Sequence, residues 1–186
     1  MGVRTLALAL LLSAVSGAGA QEHAAWSMLR EGRAVLILRH ATAPGYADPP
    51  GFVLEDCATQ RNLDEAGRSE AKRWGDLLRQ NGVSSPRILS SRWCRALETA
   101  RRMALAPVEP VAVLDSFFDR PGQGATQTAA LRRLINSLSP EPPVVLVTHQ
   151  VNITALTGVF PRSGEGIVLA LPVNDPPHVL ARIAPP

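Results

Sequence analysis

The sequence predicts an α/β fold, a three-layer α/β/α sandwich with a mostly parallel central sheet. Its short apolar runs are unbroken rather than alternating, which is typical of strands covered on both faces. These runs alternate along the chain with segments of helical periodicity, as in layered α/β domains. With 186 residues and 46% hydrophobic side chains, the chain is long enough to form one domain with its own core.

The predicted strands and helices follow from these runs in chain order. Strands are predicted over residues 34–38, 87–90, 144–147, 167–171 and 179–183. The first helix begins after Asp64, a good N-cap residue, and ends at Asn81-Gly82. Three further helices are predicted over residues 92–103, 126–138 and 151–157, and residues 43–51, with three prolines, are predicted to form a long surface loop.

The N-terminus has the pattern of a signal peptide. Arg4 precedes an apolar run over residues 6–15, and small residues follow as far as Ala20. The run is shorter than the roughly 20 apolar residues that span a bilayer. We therefore expect a signal peptide over residues 1–20 and a mature domain over residues 21–186. The mature chain is expected to be periplasmic or secreted, soluble and without stable membrane insertion.

The cysteines and the charge add two expectations. Cys57 and Cys94 are the only cysteines, and an even count in an oxidising compartment favours a disulfide between them over two separate buried thiols. The net charge of +3 does not indicate a nucleic-acid-binding protein. All basic residues except Lys72 are arginine, whose planar guanidinium is suited to holding phosphate or carboxylate.

Polar residues with catalytic potential follow three of the predicted strands. Arg39-His40 follows the first strand, Ser90-Ser91 and then Arg95 follow the second, and Thr148-His149 follows the strand over residues 144–147. Because ligands of open α/β sheets bind beyond the carboxyl ends of the strands, we expect these side chains to share one cleft. Two arginines can hold phosphoryl oxygens while one histidine attacks phosphorus and the other donates a proton or hydrogen bond.

The same segments resemble the histidine phosphatase superfamily, the phosphoglycerate mutase-like proteins. The resemblance covers residues 38–41 (Leu-Arg-His-Ala), 62–68, 90–100 and 147–149 in the family order. It implies that His40 becomes the phosphohistidine and that Arg39, Arg95 and His149 form the phosphate pocket. It also implies that the reaction needs no metal and no organic cofactor.

Three positions depart from the family pattern. Ala41 stands where the family usually has glycine, and we expect a slightly altered pocket floor. Thr42 stands where the mutases have glutamate, which favours a phosphatase over a mutase. Gln150 stands where the acid-phosphatase branch has an aspartate directly after the second histidine, so that arrangement cannot operate here.

The acid that protonates the leaving group has three candidates. Asp119, in Phe117-Phe118-Asp119, lies at the distance from Arg95 at which family members often carry a glutamate, and it is the first choice. Glu165 and Asp115 are the alternatives, and Glu165 is also a candidate for substrate contact. Arg61 is expected near the pocket rim, where it would contact a second anionic group of the substrate.

The sequence therefore predicts an exported, metal-independent phosphomonoesterase that acts on a small phosphorylated substrate through His40. The alternative is a non-catalytic module that binds phosphate or a phospho-sugar on the same fold. A metal site on His40 and His149 is disfavoured, because neither strand end supplies companion ligands.

Overall fold

A six-stranded sheet forms the middle layer of the fold. The computed structural model describes residues 19–186, and its strands are β1 Ala34–Arg39, β2 Arg87–Ser90, β3 Val108–Pro110, β4 Val144–Thr148, β5 Gly166–Ala170 and β6 Val179–Ile183. They lie in the order β3-β2-β4-β1-β5-β6. The first four strands are parallel to one another, and β5 is antiparallel to both of its neighbours. The mostly parallel sheet predicted from the sequence is confirmed.

Helices cover both faces of this sheet. They are α1 over residues 19–30, α2 Glu65–Gln80, α3 Cys94–Arg102, α4 Gly124–Ser137 and α5 Gln150–Thr157. The core between the sheet and α1, α2 and α3 contains Leu36, Leu38 and Trp74. The core on the opposite face contains Val35 and Ile37 together with apolar residues of α4 and α5. The result is the predicted three-layer α/β/α sandwich.

The start of α2 is packed tightly against the chain that follows β1. Asp64 caps the helix, since its side chain accepts a hydrogen bond of 2.7 Å from the Gly67 N–H. A Cβ atom on Gly67 would lie 2.0 Å from the Thr42 carbonyl oxygen, so a residue with a side chain does not fit without moving the backbone. This close approach fixes the segment directly after His40.

Two elements were not predicted from the sequence. Residues 19–30 form α1, and Trp26 and Leu29 of this helix are buried in the core. The strand β3 gives no strong signal in the sequence, because this edge strand has only three residues and ends in Pro110. Of the predicted signal peptide, the structure describes only residues 19 and 20, and the rest lies outside the described residues. Within residues 19–186, no helix is long and apolar enough to cross a membrane.

Cys57 and Cys94 form a disulfide bond, as predicted. Cys57 begins a short 3-10 turn over Cys57–Thr59, and Cys94 is the first residue of α3. The bond therefore ties the loop that precedes Arg61 to the helical turn that carries Arg95. The chain segments that carry Arg61 and Arg95 are therefore joined by a covalent link.

Replacing both cysteines by serine is expected to lower the free energy of unfolding by about 3 to 4 kcal/mol, because the bond closes a loop with a sequence separation of 37 residues. Urea unfolding of the wild type and the double variant measures the difference. A Ser84→Ala/Ser85→Ala variant, altered at two exposed positions, is the control and should unfold as the wild type does. An unchanged midpoint in the cysteine variant would contradict the assignment.

Candidate active site

Three strand ends meet at one edge of the sheet. Arg39 at the end of β1 lies opposite Thr148 at the end of β4, and the His40 N–H donates to the Thr148 carbonyl at 2.9 Å. His40 and His149 therefore follow neighbouring strands, with ring centroids 5.4 Å apart. On the other side of β4, the Ser91 N–H donates to the Val147 carbonyl at 2.9 Å. The predicted convergence is a direct result of the strand register.

The converging side chains line a cavity of about 190 Å³. It contains six predicted site residues, namely Arg39, His40, Arg61, Arg95, Asp119 and His149. Other lining residues include Tyr46, Asp48, Phe118, Gln150, Val151 and Phe160. The volume is below the roughly 300–1,000 Å³ of pockets that enclose drug-sized ligands, so the cavity suits a phosphoryl group and little more than its immediate substituent.

His40 is held as a neutral imidazole with one defined tautomer. Its Nε2 lies 3.3 Å from Arg95 Nε, which can only donate, so Nε2 carries the lone pair. Its Nδ1 carries the hydrogen and donates to the Ala41 carbonyl at 2.8 Å. Burial and the nearby Arg95 charge hold the pKa of His40 well below its ordinary value of 6.5. At neutral pH Nε2 therefore carries no proton, and within residues 19–186 its lone pair accepts only the hydrogen bond from Arg95.

Arg95 is a buried guanidinium whose charge is balanced by Asp48. Its Nη1 lies 2.8 and 3.1 Å from the two carboxylate oxygens of Asp48, and each side chain is 5% exposed. Asp48 also accepts hydrogen bonds from Trp93 Nε1 at 3.0 Å and from the Arg61 N–H at 2.9 Å. Burial lowers the pKa of Arg95 to about 10, and the Asp48 carboxylate opposes this shift. Arg95 therefore stays charged at neutral pH in a fixed orientation.

Arg39 and Arg61 each have a donor without an acceptor. Arg39 Nη1 donates to the Pro161 carbonyl at 3.0 Å, and Arg61 Nη1 donates to the Ala43 carbonyl. The Nε atoms of both arginines are buried and have no hydrogen-bond partner among the described residues. Both guanidinium groups line the cavity, and neither forms a salt bridge with a carboxylate among the described residues. An anion in the cavity would balance their charge, so the arrangement favours anion binding.

His149 is connected to a buried carboxylate through Ser91. Ser91 Oγ lies 2.7 Å from His149 Nε2 and donates to Asp115 Oδ1 at 3.3 Å. Because the Ser91 hydrogen goes to Asp115, His149 Nε2 must donate to Ser91 Oγ. Burial and the Arg95 charge hold the pKa of His149 well below its ordinary value. The second imidazole is thus neutral and fixed in orientation.

The three acid candidates have different surroundings. Asp119 is exposed at the cavity, and its carboxylate makes no hydrogen bond to any residue in the described part of the chain. The Asp115 carboxylate forms a salt bridge with the Arg92 side chain at 2.6 Å and accepts hydrogen bonds from the Arg92 N–H at 2.8 Å and from Ser91 Oγ. It does not line the cavity. Asp119 is the candidate that the geometry leaves free for a substrate.

Glu165 is also placed away from the cavity, contrary to the expectation that it contacts substrate. Its carboxylate accepts from Arg182 Nε at 2.7 Å and from the Arg162 N–H at 2.8 Å. Burial raises the pKa of Glu165, but these hydrogen bonds outweigh burial and the pKa lies below its ordinary value. Glu165 is an ionised group that fixes the turn before β5.

One further expectation changes in detail. Ala41 does not floor the cavity, because its side chain packs with Ala43, Leu63 and Ala71 in a small apolar cluster. Arg61 is among the residues that line the cavity. Among residues 19–186, no group of three or more His, Cys, Asp or Glu side chains is arranged to hold a metal ion.

Known structures share this fold. The chain is similar to the protein histidine phosphatase SixA bound to tungstate, at 19% identity over 82% of this chain and 97% of that one, with a TM-score of 0.57. It is also similar to a mycobacterial glucosyl-3-phosphoglycerate phosphatase in complex with VO3, at 20% identity over 74% of this chain and 92% of that one, with a TM-score of 0.55. A third similar structure is a phosphoserine phosphatase from Entamoeba histolytica in complex with 3-phosphoglyceric acid, at 14% identity over 81% of this chain and 96% of that one, with a TM-score of 0.56.

These neighbours belong to the histidine phosphatase superfamily, and the shared architecture is the phosphoglycerate mutase-like fold that the sequence predicts. No protein-family model and no curated protein matches the chain. At identities of 14 to 20% the likeness shows the fold. The functional conclusion therefore depends on the residues of the cavity.

The two buried histidines predict a stability that falls on acidification. Their pKa values lie well below 6.5 in the folded chain, so below about pH 6.5 the unfolded chain binds protons that the folded chain does not. The free energy of unfolding should fall from pH 7 to pH 5, with a slope of up to about 1.4 kcal/mol per pH unit for each histidine. Urea unfolding at several pH values measures this slope.

His40→Gln should make that slope shallower, because it removes one of the two buried groups. His178→Gln, at an exposed position outside the cavity, is the matched control and should keep the slope of the wild type. Equal slopes in all three proteins would contradict the assignment of His40 as a buried neutral base.

Proposed function

We propose that this chain is an exported, metal-independent phosphomonoesterase that forms a phosphohistidine on His40. The observation that carries the proposal is the His40 Nε2 lone pair, which lies 3.3 Å from Arg95 Nε in a cavity lined by three arginines. A neutral nucleophile surrounded by fixed positive charge is what attack on a phosphate dianion requires.

The charges of the cavity support binding of a phosphoryl group. Three guanidinium groups line it, and of the two lining carboxylates Asp48 is already paired with Arg95. Gln150 and Val151, in the first turn of α5, also line the cavity. The N–H groups of a first helical turn have no acceptor within the helix, and the helix dipole favours an anion there. Proteins of the same fold hold tungstate and VO3, which are oxyanions.

In the first step, His40 Nε2 attacks phosphorus and the bond from phosphorus to the ester oxygen breaks. The Arg95 Nε–H donates to the lone pair before attack, and it is left without this acceptor as the lone pair is consumed, so it can then donate to a phosphoryl oxygen. The imidazole becomes cationic, and its Nδ1–H remains bonded to the Ala41 carbonyl. Protonated Asp119 gives its proton to the leaving alkoxide, which departs as an alcohol.

In the second step, ionised Asp119 takes a proton from a water molecule that attacks the phosphohistidine. The bond from phosphorus to Nε2 breaks, the His40 lone pair is restored, and inorganic phosphate leaves. His149 keeps its Nε2 hydrogen bond to Ser91 in both steps and stays neutral, with its ring beside that of His40. The arginines supply the positive charge that the transferring group needs, so no step calls for a metal or an organic cofactor.

Export is supported by the signal-peptide pattern of residues 1–20 and by the disulfide between Cys57 and Cys94. Mature protein would begin at Gln21, within α1. N-terminal sequencing of protein recovered from the periplasm or the medium tests this part of the proposal.

His40→Ala is expected to lower kcat/KM for 4-nitrophenyl phosphate by at least about a thousandfold, equivalent to roughly 4 kcal/mol of barrier. The nucleophile is lost while the arginines remain. His178→Ala, an exposed histidine outside the cavity, is the control and should retain wild-type turnover. Activity within about tenfold of wild type, or 1.4 kcal/mol, would exclude His40 as the nucleophile. Tight vanadate binding without any phosphate release would indicate the binding module instead.

Asp119→Asn should slow esters of poorly acidic alcohols far more than esters of acidic phenols, because only a poor leaving group needs a proton. The expected loss in kcat is about 10² to 10⁴ for an alkyl phosphate and much smaller for 4-nitrophenyl phosphate. Asp115→Asn is the comparison variant, and it should slow both classes by similar factors because it acts through Ser91 and His149. Equal losses for both classes in Asp119→Asn would exclude Asp119 as the acid.

A further inference from the structure

Three aromatic side chains are exposed around the mouth of the cavity. Four large hydrophobic side chains are exposed in the described part of the chain, and three of them, Tyr46, Phe118 and Phe160, line this one cavity. Tyr46 is 83% exposed, Phe160 66% and Phe118 39%. Exposed apolar surface concentrated at one site marks a binding surface. We call these three residues the aromatic rim.

The aromatic rim is assembled from separate parts of the chain. Tyr46 lies in the loop over residues 43–51, Phe118 follows the short turn Ala112–Leu114, and Phe160 follows α5. Tyr46 and Phe118 pack edge to face, with ring centroids 5.2 Å apart and an interplanar angle of 79°. This contact orients two rings that would otherwise be free in solvent.

Charge is distributed unevenly between the inside and the mouth of the cavity. All of its cationic lining residues are the three arginines already described, which are buried or partly buried, and none belongs to the aromatic rim. These arginines hold the phosphoryl group inside the cavity. Among the described residues no other cationic side chain lines the cavity, so none is placed at the mouth to pair with a second anionic group of the substrate.

We infer that the preferred substrates are phosphomonoesters whose leaving group is uncharged and carries a ring close to the ester oxygen. The inference rests on the proposed function and names the substrate class of the same site. Aromatic faces stack with aryl rings and with the C–H faces of sugar rings. Because a cavity of about 190 Å³ takes little more than the phosphoryl group, the substituent on the ester oxygen would lie at the mouth, where the aromatic rim is exposed.

Four esters of primary alcohols test this inference, because their leaving groups differ little in acidity. Benzyl phosphate carries an aryl ring, glucose 6-phosphate a neutral sugar ring, ethyl phosphate no ring, and 3-phosphoglycerate a second anionic group. At least one ring-bearing ester should exceed ethyl phosphate in kcat/KM by about tenfold, in line with the strength of aromatic contacts. A higher kcat/KM for benzyl phosphate indicates an aryl substrate, and a higher kcat/KM for glucose 6-phosphate indicates a sugar substrate. The kcat/KM for 3-phosphoglycerate should not exceed that for ethyl phosphate.

Tyr46→Ala/Phe118→Ala should bring the ratio of kcat/KM between the ring-bearing ester and ethyl phosphate to within about twofold. Val53→Ala is the control, since Val53 is exposed but does not line the cavity, and it should keep the wild-type ratio. A wild-type ratio near one, a ratio that survives the double substitution, or a preference for 3-phosphoglycerate would overturn the inference.

The inference and the proposed function can fail separately. If all four esters are hydrolysed equally and hydrolysis requires His40, the proposed function stands and the ring preference is wrong. If no ester is hydrolysed, the proposed function is wrong, and binding of non-hydrolysable benzylphosphonate and ethylphosphonate, measured by calorimetry, decides the inference. Tighter binding of the benzyl compound that is lost in Tyr46→Ala/Phe118→Ala supports it, and equal binding overturns it.

Discussion

The contact between the Arg95 guanidinium, the His40 imidazole and the Asp48 carboxylate is the interaction on which this site depends. A buried charge is costly unless it is paired and hydrogen-bonded, and Asp48 supplies that pairing from the far side of Arg95. The nearer side then faces His40 Nε2. Burial, together with the same positive charge that would attract a phosphate, holds the pKa of His40 low and keeps the imidazole unprotonated. In the proposed mechanism the Arg95 charge therefore contributes both to anion binding and to keeping the nucleophile neutral.

The scaffold places these groups mainly through backbone interactions. Pairing of β1 with β4 and of β4 with β2 brings the segments after the three strands together whatever their side chains are. The disulfide bond and the Asp48 hydrogen bonds then hold the loops that carry Arg61 and Arg95. A rigid edge of the sheet supplies the reacting groups, while the loop over residues 43–51 supplies Asp48 to the inside and Tyr46 to the mouth. The loop over residues 43–51 thus contributes to both the inside and the mouth of the cavity.

The parts of the site that follow from local sequence were predictable. His40, Arg39, Arg95 and His149 stand directly after apolar runs or one helical turn later, and parallel strand ends share one edge of a sheet. The role of Asp48 was not predictable, because it depends on how a proline-containing loop folds back over a helix that begins 46 residues later.

Dependence on tertiary contacts also explains why the roles of the three acids and the presence of α1 could not be predicted. The sequence does not distinguish Asp115 and Glu165 from Asp119 as proton donors. Only the structure shows that they form salt bridges with Arg92 and Arg182. Residues 19–30 adjoin a signal-peptide pattern, and their helical nature depends on Trp26 and Leu29 packing in the core. Side-chain contacts between distant segments, which no local pattern encodes, account for each of these differences.

Trapping the covalent intermediate is the most direct test for a phosphohistidine on His40. Protein mixed with excess substrate and quenched within milliseconds in alkali, where phosphohistidine is stable, can be digested and its peptides analysed by mass spectrometry. We predict one phosphoryl group on the peptide containing His40 in the wild type and none in His40→Ala. Turnover of substrate with no phosphorylated His40 at any quench time, or phosphorylation of another residue, would exclude His40 as the nucleophile.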